Sequence, residues 1–190
     1  NVSEDGTEER SYPYGNTFAH VVGYDTNGKS GLESEANFQL LSSHEFFLNQ
    51  IRNEFMGTKN TGDSVVSTLS ADLQTTAYNS LGDRRGAVVA LEPSTGKILA
   101  MVSKPDFDPN TISENWDSLV NDETNSSLLN RATMGQYPPG STFKVVTALD
   151  YFRTHGSFNG FSFDCQGSIT KEEHTIQCYN GNGHGTEDFY

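Results

Sequence analysis

Ser141 and Lys144 are the pair whose types and spacing could do chemistry in this 190-residue chain. They stand in Tyr137-Pro138-Pro139-Gly140-Ser141-Thr142-Phe143-Lys144-Val145-Val146-Thr147-Ala148-Leu149. A serine hydroxyl becomes a competent nucleophile when a neighbouring base takes its proton. A lysine amine can be that base when its ammonium form is disfavoured, and burial disfavours it. On a helix, a spacing of three puts both side chains on one face. The helix N-terminus adds unpaired backbone N–H groups beside the serine, one of which could hold an oxyanion. On spacing alone a second reading stays open: an ordinary N-terminal serine, and a lysine snorkelling out of the core.

Such a pair needs a rigid element beneath it. Two prolines and a glycine stop whatever precedes Ser141, and no breaker follows until Gly156. Phe143, Val145, Val146, Ala148, Leu149, Tyr151 and Phe152 lie all round a helix rather than on one stripe. A helix apolar on every side is ordinarily buried. The expectation is a buried helix that starts at about Ser141. S-x-x-K also occurs at Ser94/Lys97, in a Glu92-Pro93-Ser94-Thr95-Gly96 turn, and at Ser168/Lys171, in a strand-like stretch. Neither of these pairs would share a helical face.

The rest of the chain alternates short elements with turns. Phe18 to Tyr24 reads as a strand. Ser42 and Glu45 form a capping box before a helix with Phe46, Phe47, Ile51 and Phe55 on its core face, ending near Gly57. Asn60 to Asp63 reads as a turn and Val65 to Leu69 as a strand. Ser70 caps a helix with Leu73, Ala77 and Leu81 on one face, closed by Gly82. Gly86 to Leu91 and Lys97 to Ser103 are two nearly all-apolar strands of a hairpin, expected in a sheet covered on both faces. Ser113 to Val120 is a short helix with Trp116, Leu119 and Val120 inward, before a solvated loop over 121–127. Residues 156–182 are glycine-rich and hairpin-like.

Metal chemistry finds little support. His20 has no second ligand at metal spacing, so its role is structural. Asp106 and Asp108 lack the further oxygens and the turn glycine of a hard-metal site, so they read as loop structure. Cys165 and Cys178 could face each other across a hairpin. A bridge would suit an extracytoplasmic compartment, and two unpaired small hydrophobes are the equal alternative. No metal or cofactor is expected. With 25 acidic against 12 basic residues the net charge is −13. That argues against nucleic acid as a partner, which needs Lys/Arg patches.

Tyr137 to Lys144 resembles the active-serine motif of the penicillin-binding proteins, bacterial D,D-transpeptidases. Gly86 to Val102 resembles the opening hairpin of their catalytic domain. Asp106-Phe107-Asp108-Pro109-Asn110 and Asn130-Arg131-Ala132 match in order and approximate spacing, and Gly183-His184-Gly185 resembles the approach to the next motif. Arg10 to Gly15 and Gly28 to Glu33 resemble the non-catalytic pedestal of the class B members. The resemblance implies an α/β (α+β) fold, an antiparallel sheet with helices around a buried active-serine helix. It divides the chain into a pedestal segment, 1–62, and an incomplete transpeptidase domain, 63–190. It implies Ser141 as nucleophile and Lys144 as base. Peptidoglycan stem peptides and β-lactams are the implied ligands, and a membrane glycan polymerase is a candidate partner. The location implied is extracytoplasmic, with an N-terminal membrane anchor that these residues do not include. A water-resolved carboxypeptidase or β-lactamase is disfavoured by the pedestal-like start, and a penicillin-sensing receptor or a catalytically dead scaffold remains the alternative.

Two of the family's motifs are not in place. Ser113-Glu114-Asn115 and Ser157-Phe158-Asn159 match S-x-N by chance, and there is no K-T-G strand. The resemblance gives S-x-N a proton relay beside the lysine. It gives K-T-G the substrate carboxylate and the second oxyanion N–H. The chain alone is therefore expected to be inactive. The Gly86 to Ser103 hairpin, without sheet partners, would expose an edge and favour self-association.

Overall fold

The computed structural model describes residues 10–57, 60 and 62–189. The acidic start before Arg10 and Thr61 of the expected 60–63 turn lie outside them. The chain divides into two compact units, one ending at Gln136 and one beginning at Tyr137.

In the first unit a 3-10 turn, Gly15–Phe18, leads into α1 (Ala19–Val22). Helices α2 (Gly31–Glu35), α3 (Asn37–Leu41), α4 (Phe47–Met56) and α5 (Ala71–Leu81) follow. Then come β1 (Gly86–Leu91), β2 (Ile98–Lys104) and α6 (Ile112–Val120). β1 and β2 pair antiparallel, Gly86 opposite Lys104 and Ala90 opposite Ala100. The expected hairpin is therefore present, and Pro105 follows its second strand.

The core of this unit is Ala19, Phe107 and Ile112, with Tyr24, Trp116, Leu119 and Leu128 packed against it. Tyr24 sets its ring edge-on to both Phe107 and Trp116, at 5.7 and 5.6 Å. Trp116 and Leu119 thus point inward as the helical spacing requires, whereas Val120 is exposed.

Gln74 is completely buried on α5. Its amide nitrogen donates to the carbonyls of Thr17 (2.8 Å) and Met101 (2.7 Å), and its oxygen accepts from the Met101 N–H at 2.8 Å. One side chain thereby locks α5 to β2 and to the 3-10 turn. Lys104 completes the attachment, donating to the Gly82 carbonyl at 2.8 Å while lying over the Tyr78 ring. The Ser70 cap is as expected: its hydroxyl accepts from the Leu73 N–H, and Gly82 closes the helix with φ +55.

Several expectations fail here. Phe18 to Tyr24 is not a strand. Two β-branched residues are outweighed by the burial of Ala19 and His20 on a helical turn that Gly23 ends at φ +83. Ser42 does not cap α4. Its hydroxyl donates back to the Phe38 carbonyl in the first turn of α3, and Glu45 instead accepts from Asn53. The α4 stripe is not core, since Phe46, Phe47 and Phe55 are exposed. α4 does end at Gly57, in the left-handed conformation. Val65 to Leu69 forms no strand, although Thr68 and Ser70 donate to the β2 carbonyls of Ile98 and Leu99. On α5, Ala77 and Leu81 are half-buried, Leu73 is exposed and Gln74 is the buried residue. β1 is not covered on both faces, for Val89 and Leu91 are exposed.

The second unit holds a 3-10 turn, Gly140–Phe143, running into α7 (Lys144–His155). Two antiparallel ribbons follow. β3 (Phe163–Cys165) pairs with β6 (Gly185–Glu187), and β4 (Ser168–Lys171) pairs with β5 (His174–Gln177). The hairpin-like reading of this stretch holds. Tyr151 of α7 stacks on His155 and meets Phe158 and Phe161, and Phe158 stacks on Phe189 at 3.6 Å.

Candidate active site

Pro139 sits at φ −66, and Gly140 at φ +55, a conformation that a Cβ would strain. The proline-glycine pair thus aims the chain into the turn that carries Ser141. The N–H of Lys144 donates to the carbonyl of Ser141. A bond of that span winds three residues per turn, so side chains three apart eclipse. Ser141 and Lys144 therefore leave the backbone on the same side. α-Helical geometry starts at Lys144, three residues later than expected, because the first turn is the tighter one.

The expected burial is absent. Ser141 and Lys144 are exposed, as are Phe143, Val145, Val146 and Leu149. Composition shows that this helix can be covered all round. Among the described residues nothing covers it. The hydroxyl bonds of the turn belong to its neighbours, Thr142 donating to Pro139 and Thr147 to Phe143. Among the described residues none joins Ser141 Oγ to Lys144 Nζ. Of the other two pairs, Ser94/Lys97 lies on a turn and Ser168/Lys171 on β4, neither on a helix.

Three further side chains converge in the same unit. Cys165 Sγ lies 3.2 Å from Cys178 Sγ and 3.5 Å from His184 Nδ1, with both thiols free. The backbone N–H groups of Gly167 and His184 address the Cys165 sulfur. Together with Cys178 they hold its thiol well below the usual range, at about 6. Cys178 moves the other way, because its hydrogen bond to Cys165 favours the neutral thiol. Lys144 is near enough to favour the Cys178 thiolate. In the sequence the two cysteines pair as candidates and His184 stands apart from them. What joins them is loop geometry. The only sequence signal for it is the glycine on either side of His184 and the one at 167.

His20 is structural, as expected. It is buried edge-on against Phe107, and its Nε2 lies 3.3 Å from the Pro105 carbonyl, so that nitrogen carries the hydrogen. Asp106 and Asp108 serve the loop by accepting from Asn16 and Asn110. In the Asn130-Arg131-Ala132 motif, Arg131 is buried and donates to the carbonyls of Asn125 and Ser126. Its backbone N–H donates to Ser103 of β2. That motif secures the 125–131 loop rather than offering a cation to a ligand. A cavity of about 670 Å³ in the first unit is lined by Leu69, Met101, Leu128 and Met134 with His20 and Asn130. It is largely apolar and contains neither Ser141 nor Lys144.

Residues 86–189 match the family model for the penicillin binding protein transpeptidase domain, and residues 1–65 the penicillin binding protein A dimerisation domain. The chain belongs to the penicillin-binding protein transpeptidase family. Among its relatives is the peptidoglycan D,D-transpeptidase PbpA of Mycolicibacterium smegmatis, 42% identical over 164 residues, which cover 77% of this chain and 33% of the relative. The solved D,D-transpeptidase domain of a peptidoglycan glycosyltransferase from Eggerthella lenta superposes with a TM-score of 0.84 at 30% identity, over 99% of this chain and 42% of that one. The penicillin G acyl-enzyme complex of penicillin-binding protein A from M. tuberculosis gives 0.79 at 31%, over 94% and 45%. The mixed helix and sheet architecture is thus that of a penicillin-binding protein transpeptidase domain. The chain spans about a third of the length of the curated PbpA relative. Among the described residues no helix is long and apolar enough to cross a membrane.

Proposed function

We propose that this chain is part of a peptidoglycan D,D-transpeptidase that works through a serine acyl-enzyme. Ser141 Oγ attacks the carbonyl carbon of the penultimate D-Ala of a stem peptide. Its proton passes to Lys144. The C–N bond breaks, the terminal D-Ala leaves as the amine after taking a proton, and an ester to Ser141 remains. The amine of a neighbouring stem attacks that ester, forms the cross-linking amide and returns the proton to Ser141. β-Lactams acylate the same hydroxyl. The 3-10 turn that stacks Ser141 with Lys144, inside the residues that match the transpeptidase model, carries this reading.

Residues 1–62 are the pedestal and 63–190 the opening part of the catalytic domain, a division supported by the two matched stretches. The protein works outside the cytoplasm on a membrane anchor, with a glycan polymerase as partner. The exposure of Ser141 and Lys144 supports the view that the 190 residues alone are inactive. The same exposure keeps a receptor that acylates once, or a scaffold that never does, as the second reading.

Labelling protein that also carries the S-x-N and K-T-G segments with a fluorescent penicillin, beside Ser141→Ala, tests the proposal. Label in the parent and none in the variant is the expected result. Label that survives in the variant removes Ser141 from the mechanism. Turnover of a D-Ala-D-Ala stem peptide then separates enzyme from receptor.

A further inference from the structure

The transpeptidase reading uses neither cysteine and not His184. The three ligand atoms lie within 4.8 Å of one another, and each comes from a different junction. Cys165 ends β3, Cys178 follows β5, and His184 immediately precedes β6. Among the described residues each ribbon is two strands wide, and every residue of β4, β5 and β6 is exposed. Isolated two-stranded ribbons are marginal in water. A small unit with so little buried apolar surface is the kind that folds around a cross-link or a metal.

The backbone around the ligands is built for close approach. A Cβ on Gly167, at φ +90, would lie 2.3 Å from the Gly181 carbonyl oxygen, and one on Gly183 would lie 2.7 Å from that of Cys165. Both loops can therefore meet only as glycine, and their meeting brings the thiols and the imidazole together.

Distances separate a metal clasp from a disulfide. In a tetrahedral zinc site, bonds of about 2.3 Å to sulfur and 2.0–2.1 Å to nitrogen put S and N about 3.6 Å apart and two sulfurs about 3.8 Å apart. The Cys165–His184 separation of 3.5 Å already has that value, the 3.2 Å between sulfurs needs a small opening, and Cys178 Sγ and His184 Nδ1 lie within 4.8 Å. A disulfide needs the sulfurs at about 2.0 Å and has no use for an imidazole.

We propose that Cys165, Cys178 and His184 form a zinc site that clasps the β3–β6 ribbon to the β4–β5 ribbon. Two thiolates and one neutral imidazole are a soft, tetrahedral donor set that selects Zn²⁺ over Mg²⁺ or Ca²⁺. Binding releases the two thiol protons and oxidises nothing, and water takes the fourth position. The role is structural, and the inference does not depend on acyl transfer by Ser141.

The test uses the full chain, purified with a thiol reductant and without chelator. Elemental analysis is expected to give one zinc per chain. Co²⁺ in its place is expected to give the sulfur-to-metal absorption of a tetrahedral two-thiolate site. Chelation should release the metal and make both thiols reactive. Cys178→Ser should lose the zinc, and His184→Ala should weaken it at least tenfold. Because His184 is exposed, its variant should stay folded even if the cysteine variant does not. Zinc-free chain whose thiols react equally with and without added Zn²⁺ overturns the proposal. So does a Cys165–Cys178 disulfide whose reduction yields no zinc-binding chain, and so does zinc content unchanged by His184→Ala.

Discussion

The backbone N–H of Lys144 donates to the carbonyl of Ser141, and that bond sets their side chains one above the other. Three consequences of the proposed mechanism follow in protein that also carries the S-x-N and K-T-G segments. Ser141→Ala should abolish β-lactam acylation. Lys144→Ala should slow it by about 10²–10⁴-fold, the usual worth of a positioned general base. Lys144→Arg should be as slow, since a guanidinium does not give up its proton. Stopped-flow measurement of acylation by a fluorescent penicillin checks all three. A Lys144→Arg protein that acylates at the parent rate would show that the lysine serves only as a charge.

The turn and its spacing were legible in the sequence because Pro139, Gly140 and the unbroken run after them are local signals. The hairpin of β1 and β2, the Ser70 cap and the Gly57 stop were legible for the same reason. Burial was not. Phe55 on α4 and Val145 on α7 were read as core from their spacing, but spacing shows which face wants cover, not whether cover exists. Gln74 was invisible because its value lies in three backbone groups far away in sequence. The meeting of Cys165, Cys178 and His184 was hidden likewise, since loops that close through glycine contacts leave no periodicity.

Gln74→Leu should destabilise the first unit. The substitution leaves the Thr17 and Met101 carbonyls and the Met101 N–H without their partner in a buried place. A loss of about 2–4 kcal/mol is expected from unsatisfied buried groups of this kind. The single tryptophan, Trp116, packs on that unit's core, so its fluorescence during urea unfolding reads the effect. An unchanged midpoint would mean that water replaces the amide freely.

His20 should make the first unit less stable in mild acid. Burial lowers its pKa, partly opposed by the Pro105 hydrogen bond and by Asp106, while Arg131 lowers it further. The folded state therefore binds the proton less readily than the unfolded chain, whose histidine titrates near about 6.5. Stability is full above that value and falls as pH drops below it, levelling off below the folded pKa. Urea midpoints between pH 7 and pH 5 should fall more steeply for the parent than for His20→Gln. Parallel slopes would remove His20 as the cause.

The 190-residue chain should self-associate along β1. Among the described residues that strand pairs only with β2, and Val89 and Leu91 are 41% and 56% exposed on it. An unpaired edge carrying apolar side chains is a template for a second strand. Sedimentation velocity should show a concentration-dependent dimer, and the Val89→Lys, Leu91→Lys double variant should remain monomeric. Association that persists in the double variant would move the contact to the exposed Phe47 and Phe55 of α4. A parent that stays monomeric at every concentration would mean that the twist of the two-stranded ribbon already protects its edge.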